Sequence, residues 1–187
     1  MNVIATAIPG VVVLEPKVFG DERGYFLETW SRQKYEAAGL PVVFVQDNVS
    51  FSRKGVLRGL HYQNPQSQGK LVQVMAGEVF DVAVDIRAGS PTFGRCVGEI
   101  LSEKNHRQMY IPPGLAHGFC VLSETVLFAY KCTDTYNAAA EGGICWNDPD
   151  LGIDWPIREP VLSPKDEKYP RLRDVPKDRL PTFGAGR

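Results

Sequence analysis

Apolar residues recur along this chain mostly in short runs, several with a period of two. Phe80, Val82, Val84 and Ile86 alternate with Asp81, Ala83 and Asp85, the pattern of a strand with one buried face. Lys70–Met75 precedes it, and Gly77 between the two runs predicts a hairpin. Further strands are expected over Val11–Leu14, Gly24–Thr29, Val42–Val49, Val56–His61, Gly94–Leu101, Gln108–Ile111, His117–Leu122 and Val126–Thr133. One short helix fits Arg32–Ala38, with Ser31 as its cap and Gly39 as its end. Gly89-Ser90-Pro91 and Pro112-Pro113-Gly114 read as turns, and Asp134–Gly143 as a loop. Long helical segments between strands are missing, so no βαβ rhythm appears. Many short strands with regular turns predict an all-β sandwich or jelly-roll barrel.

Composition narrows the class. The chain has 187 residues, 43% of them hydrophobic, enough for one domain with a real core. We read 1–187 as a single domain, with its core over 3–170 and a polar, proline-rich tail over 174–187 that wraps the surface or frays. The formal net charge is -1, from 21 basic and 22 acidic residues. That balance gives no long-range field to gather nucleic acid or an anionic membrane. Cys96, Cys120, Cys132 and Cys145 form no C-x-x-C pair, which argues against a zinc ribbon or redox motif. Met1–Thr6 lacks a leader pattern, and no apolar run approaches the ~20 residues that span a bilayer. The expectation is a soluble, cytoplasmic protein.

Histidine carries the first hint of chemistry. His61 lies in Gly55-Val56-Leu57-Arg58-Gly59-Leu60-His61-Tyr62-Gln63, and the other histidines are His106 and His117. An imidazole titrates near 6.5, so a small environmental shift makes it a base at neutral pH. From the residue alone, His61 reads more readily as a histidine hydrogen-bonded inside a sheet than as a base. Pro112-Pro113-Gly114-Leu115-Ala116-His117 resembles the second histidine half-motif of cupin barrels. The first half-motif would put a histidine where Gln63 stands and a glutamate soon after, yet the next acidic residue is Glu78. Transition metals ask for three or four good ligands, and His61 with His117 makes two. The expectation is a cupin that keeps two imidazoles and uses no metal and no cofactor.

Ordered blocks sharpen this. They are Pro16–Gly24 (PKVFGDERG), Phe44–Asn48 (FVQDN), Val56–His61 (VLRGLH), Gly77–Arg87 (GEVFDVAVDIR) and Ser90–Gly94 (SPTFG). Ala116–Phe119 (AHGF), Trp146–Asp148 (WND) and Leu162–Asp166 (LSPKD) follow. Together they resemble the dTDP-4-dehydrorhamnose 3,5-epimerase family over roughly the whole core. The resemblance implies a cupin jelly roll that inverts C3 and C5 of dTDP-4-dehydro-6-deoxy-D-glucose. Both carbons flank the C4 ketone, so a base can remove their protons to give an enolate, and an acid can return a proton on the opposite face.

By the same resemblance His61 is the base, Asp166 orients and balances its ring, and Tyr130 is the acid. A phenol near pKa 10 is a poor donor, so a cation is expected beside it; Lys70 is that candidate and also faces the enolate oxygen. Arg23 and Arg58 suit the diphosphate, because guanidinium forks bind phosphate oxygens in pairs. Glu28, Gln46 and Asn48 are assigned to thymidine and nearby polar groups, with Asp47 between the last two also counted as a substrate contact. Tyr136 is placed to stack on thymine, and His117, Glu141 and Lys165 complete the pocket. Thr135 stands where some relatives carry a second aromatic residue, and Tyr62 adds a hydroxyl beside His61. The resemblance also implies a homodimer with an N-terminal strand added to the partner's sheet, protecting an edge. A single-centre epimerase or ketoisomerase on a related dTDP-keto-sugar is the nearest alternative. A metal-dependent cupin oxygenase and a silent sugar-binding module are more remote.

Overall fold

The structure, a computed structural model, describes residues 1–40 and 43–184. Val42, expected to open a strand, and residues 185–187 of the tail lie outside the described residues. Thirteen strands are described: β1 (Asn2–Ala5), β2 (Val12–Glu15), β3 (Val18–Asp21), β4 (Gly24–Leu27), β5 (Gln46–Arg53), β6 (Leu57–Gln63) and β7 (Lys70–Ala76) come first. β8 (Glu78–Asp85), β9 (Cys96–Ser102), β10 (Gln108–Ile111), β11 (Leu115–Val121), β12 (Thr125–Cys132) and β13 (Glu141–Gly143) follow. One six-stranded antiparallel sheet runs β1-β2-β10-β7-β12-β5, and a five-stranded one runs β13-β6-β11-β8-β9. The two face each other as a cupin-type jelly roll, in line with the all-β reading of the sequence.

The expected hairpin at Gly77 does not form. β7 lies in the six-stranded sheet and β8 in the five-stranded one. Gly77 is the corner where the chain changes sheets, a device common where sheets meet at an angle. Its φ is +88°, and a Cβ there would collide with the Thr125 carbonyl oxygen. A hairpin turn and a sheet-to-sheet corner both call for a glycine, so the local signal does not separate them.

The alternating strands also face the other way from the simplest expectation. Val82, Val84 and Ile86 point out of the barrel, where Leu60, Ala116, Leu151, Leu172, Val175 and Leu180 cover them. The tail therefore wraps and packs instead of fraying, through short 3-10 turns at Leu172–Asp174 and Lys177–Arg179. The opposite face of β8 puts Asp81, fully buried, toward the barrel interior. Between the sheets, Val74, Val79, Ala83, Leu101, Met109, Phe119 and Phe128 form the apolar half of that interior. Phe119 and Phe128 stack with ring centroids 4.2 Å apart.

The helix α1 (Arg32–Ala37) covers the part of the six-stranded sheet's outer face formed by β2, β10 and the start of β7. Its Tyr35 packs with Leu14, Leu40, Leu71 and Tyr110, and the Tyr35 hydroxyl donates to Gln108 Oε1 at 2.6 Å. Ser31 sits at the cap position, but its side chain makes no capping bond; its backbone carbonyl takes the Tyr35 N–H instead. Gly39, at φ +78°, ends the helix as expected. β1 pairs with β2 of its own chain, so the N-terminal strand expected to join a partner's sheet is already paired along one edge. β3 and β4 form a separate two-stranded hairpin. Finally, the expected loop Asp134–Gly143 ends in strand β13, which pairs with β6.

Gly77→Ala carries both a positive φ and a backbone collision, whereas Gly39→Ala carries the φ alone, with no described atom within 4 Å of the new Cβ. Backbone strain of this kind costs about 1–3 kcal/mol. In urea titrations Gly77→Ala is expected to lose clearly more stability than Gly39→Ala; equal losses would contradict the corner assignment.

Candidate active site

The open end of the barrel is lined from both sheets. In an antiparallel ladder, paired residues share a face. Lys70 pairs with Cys132, Val72 with Tyr130, and Tyr130 and Cys132 pair in turn with Asn48 and Gln46. Across the barrel His61 pairs with His117. Gln46, Asn48, His61, Tyr62, Gln63, Gln68, Lys70, Tyr130, Tyr136 and Glu141 enclose a cavity of about 230 Å³. A second hollow of about 580 Å³ shares His61 and is walled by Arg58, Ser163, Lys165 and Asp166.

His61 Nε2 lies 2.5 Å from Asp166 Oδ1. Asp166 opens a 3-10 turn, Asp166–Lys168, and its side chain is only 3% exposed. Burial by itself would raise this carboxyl, but the hydrogen bond and charge of His61 outweigh it and hold the pKa below the usual carboxylate value. An ionised carboxylate at Nε2 keeps the neutral ring's proton on that nitrogen. The Nδ1 lone pair is then the free base, and the imidazolium that forms on protonation meets its counter-charge in place.

Lys70 begins β7 and has no ion pair among the described residues. Desolvation pushes its ammonium pKa down, against the charges of Cys132, Asp81 and Glu141. A lowered pKa makes it a readier proton and hydrogen-bond donor to a developing oxyanion. Tyr130 is half-buried, and desolvation raises its phenol. The cation that pulls it back is Arg58, not Lys70 as the sequence reading has it. The reason is placement: Arg58 shares the inner wall of β6 with His61, while Lys70 sits over Cys132, one ladder rung from the phenol.

Loop residues close the rim. The Tyr136 hydroxyl donates to Glu141 Oε2 at 3.1 Å, and Lys165 Nζ donates to Glu141 Oε1 at 2.6 Å. Burial would raise Glu141, but Lys165 more than offsets it and leaves the carboxyl lowered. Gln46 Oε1 accepts the Tyr136 backbone N–H at 2.8 Å. Gln63 does the same for Asn137 and donates to the Gln66 and Thr135 carbonyls. Gln63 thus fastens the loop that carries Tyr136, a role the sequence reading missed. Its spacing of two from His61 was the available signal. Among the described residues, no group of three His, Cys, Asp or Glu side chains could hold a metal ion.

The chain matches the family model described as dTDP-4-dehydrorhamnose 3,5-epimerase over residues 5–174. It is 58% identical over 177 residues to the dTDP-4-dehydrorhamnose 3,5-epimerase of Pseudomonas aeruginosa, covering 94% of this chain and 98% of that one. The crystal structure of a dTDP-6-deoxy-D-glucose-3,5-epimerase from Legionella pneumophila, in complex with dTDP-4-keto-L-rhamnose, superposes with a TM-score of 0.95. It is 56% identical, with 98% of this chain and 99% of that one covered. A dTDP-4-dehydrorhamnose 3-epimerase from Streptomyces niveus is 40% identical over 189 residues, covering 99% and 91%.

This chain belongs to the dTDP-4-dehydrorhamnose 3,5-epimerase family.

The residues that the family resemblance implies divide into three groups. His61, Lys70, Tyr130, Gln46, Asn48, Tyr136 and Glu141 line one cavity, and Asp166, Lys165 and Arg58 line the adjoining hollow. His117 stands behind the wall: it is buried, its Nε2 lies 3.0 Å from both Asp81 oxygens, and burial lowers its pKa despite Asp81. Arg23, Glu28 and Asp47 are not brought to the cavity. Asp47 is an odd step between Gln46 and Asn48, so its side chain turns to the outer face and pairs with Lys131 at 2.8 Å. Glu28 pairs with Lys34 at 2.9 Å, and Arg23 sits exposed at the tip of the β3–β4 hairpin, paired with Asp21. Asp81 is a buried carboxylate that the sequence reading passed over; an aspartate inside an otherwise apolar strand was its signal.

Asp166 has a lowered folded-state pKa, so its stabilising charge is complete above about pH 4, the ordinary carboxylate value. It is lost as pH falls through the folded-state value. Stability curves of the native chain and Asp166→Asn should therefore differ most above that range and converge in acid. A gap that widened on acidification would contradict the pairing.

Proposed function

We propose that this epimerase-family chain inverts both C3 and C5 of dTDP-4-dehydro-6-deoxy-D-glucose, yielding dTDP-4-dehydro-L-rhamnose. The observation that carries the reading is the arrangement of His61, its buried partner Asp166, Lys70 and Tyr130 around one cavity mouth. His61 Nδ1 takes the proton from a carbon beside the C4 ketone, and the electron pair moves onto the C4 oxygen. Lys70 donates a hydrogen bond to that oxygen, an interaction that strengthens as charge develops. A fixed donor there is worth about 3–4 kcal/mol of barrier. Tyr130 returns a proton from the opposite face of the sugar, with Arg58 favouring the phenolate that remains. The sequence departs from metal-ligand patterning at Gln63, and the proton chemistry is complete with these side chains.

Binding follows the same geometry. Arg58, anchored by its Nε–H to Ser52 Oγ at 3.0 Å, takes diphosphate oxygens together with Lys165. Tyr136 stacks on thymine, Gln46 and Asn48 hold its polar edge, and His117 fixes the wall behind the sugar. The family relative acting at one centre supports a second reading, epimerisation at C3 alone. Incubation in heavy water separates the two. Deuterium at C3 and C5 is expected; label at one carbon selects the second reading, and label at neither ends both. His61→Asn should lower turnover by about 10²–10⁴-fold, the usual contribution of a positioned base.

The working unit is a homodimer in the cytoplasm. Val18, Phe19, Tyr25 and Phe26 are exposed on the β3–β4 hairpin, and Val49, Phe51, Met75 and Leu127 on the outer face of the six-stranded sheet. Apolar patches of this kind mark interaction surfaces. Arg23 and Glu28 ride on that hairpin, so docking it against a second copy brings them to the neighbour's pocket. Light scattering should give twice the 20.7 kDa chain mass. Mixed dimers of Arg23→Ala and His61→Asn chains should recover activity that neither variant shows alone. A monomer in solution, or mixed dimers without recovery, would reject this arrangement.

A further inference from the structure

Tyr169 has no part in the chemistry above, yet it touches the base. Its ring lies edge-on to the His61 ring, with centroids 5.8 Å apart and planes at 70°. It comes from the segment that carries Asp166, three residues further on. The two side chains therefore grip one imidazole, the carboxylate through Nε2 and the phenol ring through an aromatic contact. Such edge-to-face pairs are directional.

The surroundings are shaped for this ring. Gly143 is the strand partner of His61 on β13, and a Cβ on Gly143 would collide with the Tyr169 ring. The bare backbone of Gly143 is thus the surface on which the ring rests. Behind it, the Cys145 N–H donates to the Pro170 carbonyl at 2.8 Å, which pins the chain immediately after Tyr169. Burial first, and the Glu141 charge next, push the phenol to about 12. It stays protonated and adds no charge beside the dyad.

We infer that Tyr169 is a positioning residue, which with the bare Gly143 backbone holds the His61 ring in the orientation that removes the substrate proton. The inference rests on the epimerase reading above. It predicts that losing the ring costs the chemical step, because Tyr169 lines neither hollow around the sugar site. Its hydroxyl faces Lys165, so any effect on binding follows the hydroxyl and is common to Tyr169→Leu and Tyr169→Phe. A misplaced base costs rate steeply.

The experiment compares Tyr169→Leu, Tyr169→Phe, Gly143→Ala and the double Gly143→Ala/Tyr169→Leu, by steady-state deuterium incorporation and by proton NMR of the His61 ring. Tyr169→Leu should lower kcat about tenfold, with a KM within about twofold of that of Tyr169→Phe. Tyr169→Phe should restore kcat, since the contact needs the ring and not the hydroxyl. Gly143→Ala should mimic Tyr169→Leu by displacing the ring, and the double variant should lose no more than the worse single. His61 ring resonances, assigned through His61→Asn, should move in Tyr169→Leu and hold in Tyr169→Phe. Unchanged kcat in Tyr169→Leu, a loss confined to KM, failure of phenylalanine to rescue, or fully additive losses in the double would overturn the inference. Native protein that exchanges neither proton would refute the epimerase reading instead, and the NMR comparison would still judge the ring contact.

Discussion

A single hydrogen bond, His61 to Asp166, holds this site together. Its two ends are 105 residues apart in the chain. One end is fixed because β6 lies between β13 and β11, and a strand paired on both edges cannot slide without breaking two ladders. The other end is fixed by a short 3-10 turn that leads into the packed tail. Burying a carboxylate is costly unless it is paired, so Asp166 depends on the imidazole as much as the imidazole depends on it. Local stability and the orientation of the ring are therefore the same interaction seen from two sides.

The second constraint is how the barrel divides its interior. One half is apolar and closed by the Phe119–Phe128 stack. The other is a polar stripe: Gln46, Asn48, Ser50 and Ser52 at alternate positions of β5, Lys70 on β7, and Arg58 and His61 on β6, three apart but on one face because the β6–β11 register shifts between them. Antiparallel pairing sets these rows beside one another, so His61, Tyr130 and Lys70 reach one hollow from different strands. Asp81 lies deeper in the same interior and supplies the buried charge that His117 and Lys70 both feel. Water reaches the rim but little of the floor, and interactions there are correspondingly stronger than at the surface.

That inward polar stripe leaves an outward apolar one. Val49 and Phe51 on β5 are 67% and 59% exposed, on the part of the six-stranded sheet that α1 does not reach. The β3–β4 hairpin shows the same imbalance and carries Arg23 and Glu28 away from their own cavity. The hairpin stands apart from both sheets, so its apolar side chains stay exposed and its charged ones pair locally.

Periodicity by itself determined that this is an all-β chain with one short helix, and found most of its strands to within a few residues. Residue order, through family blocks, named His61, Lys70, Tyr130 and Asp166 as a set. Hydrophobic alternation could not say which face of a strand is inside. A strand buried on both faces obeys the same period as one buried on a single face, and so Asp81 was overlooked. Nor could Gly77 announce a corner instead of a hairpin, because both need the same positive φ. Gln63 as a loop fastener, Arg58 as the cation acting on Tyr130, and the seating of Tyr169 on Gly143 depend on distances across the barrel. Those distances are set by sheet pairing between segments far apart in the chain, and only the folded structure decides them.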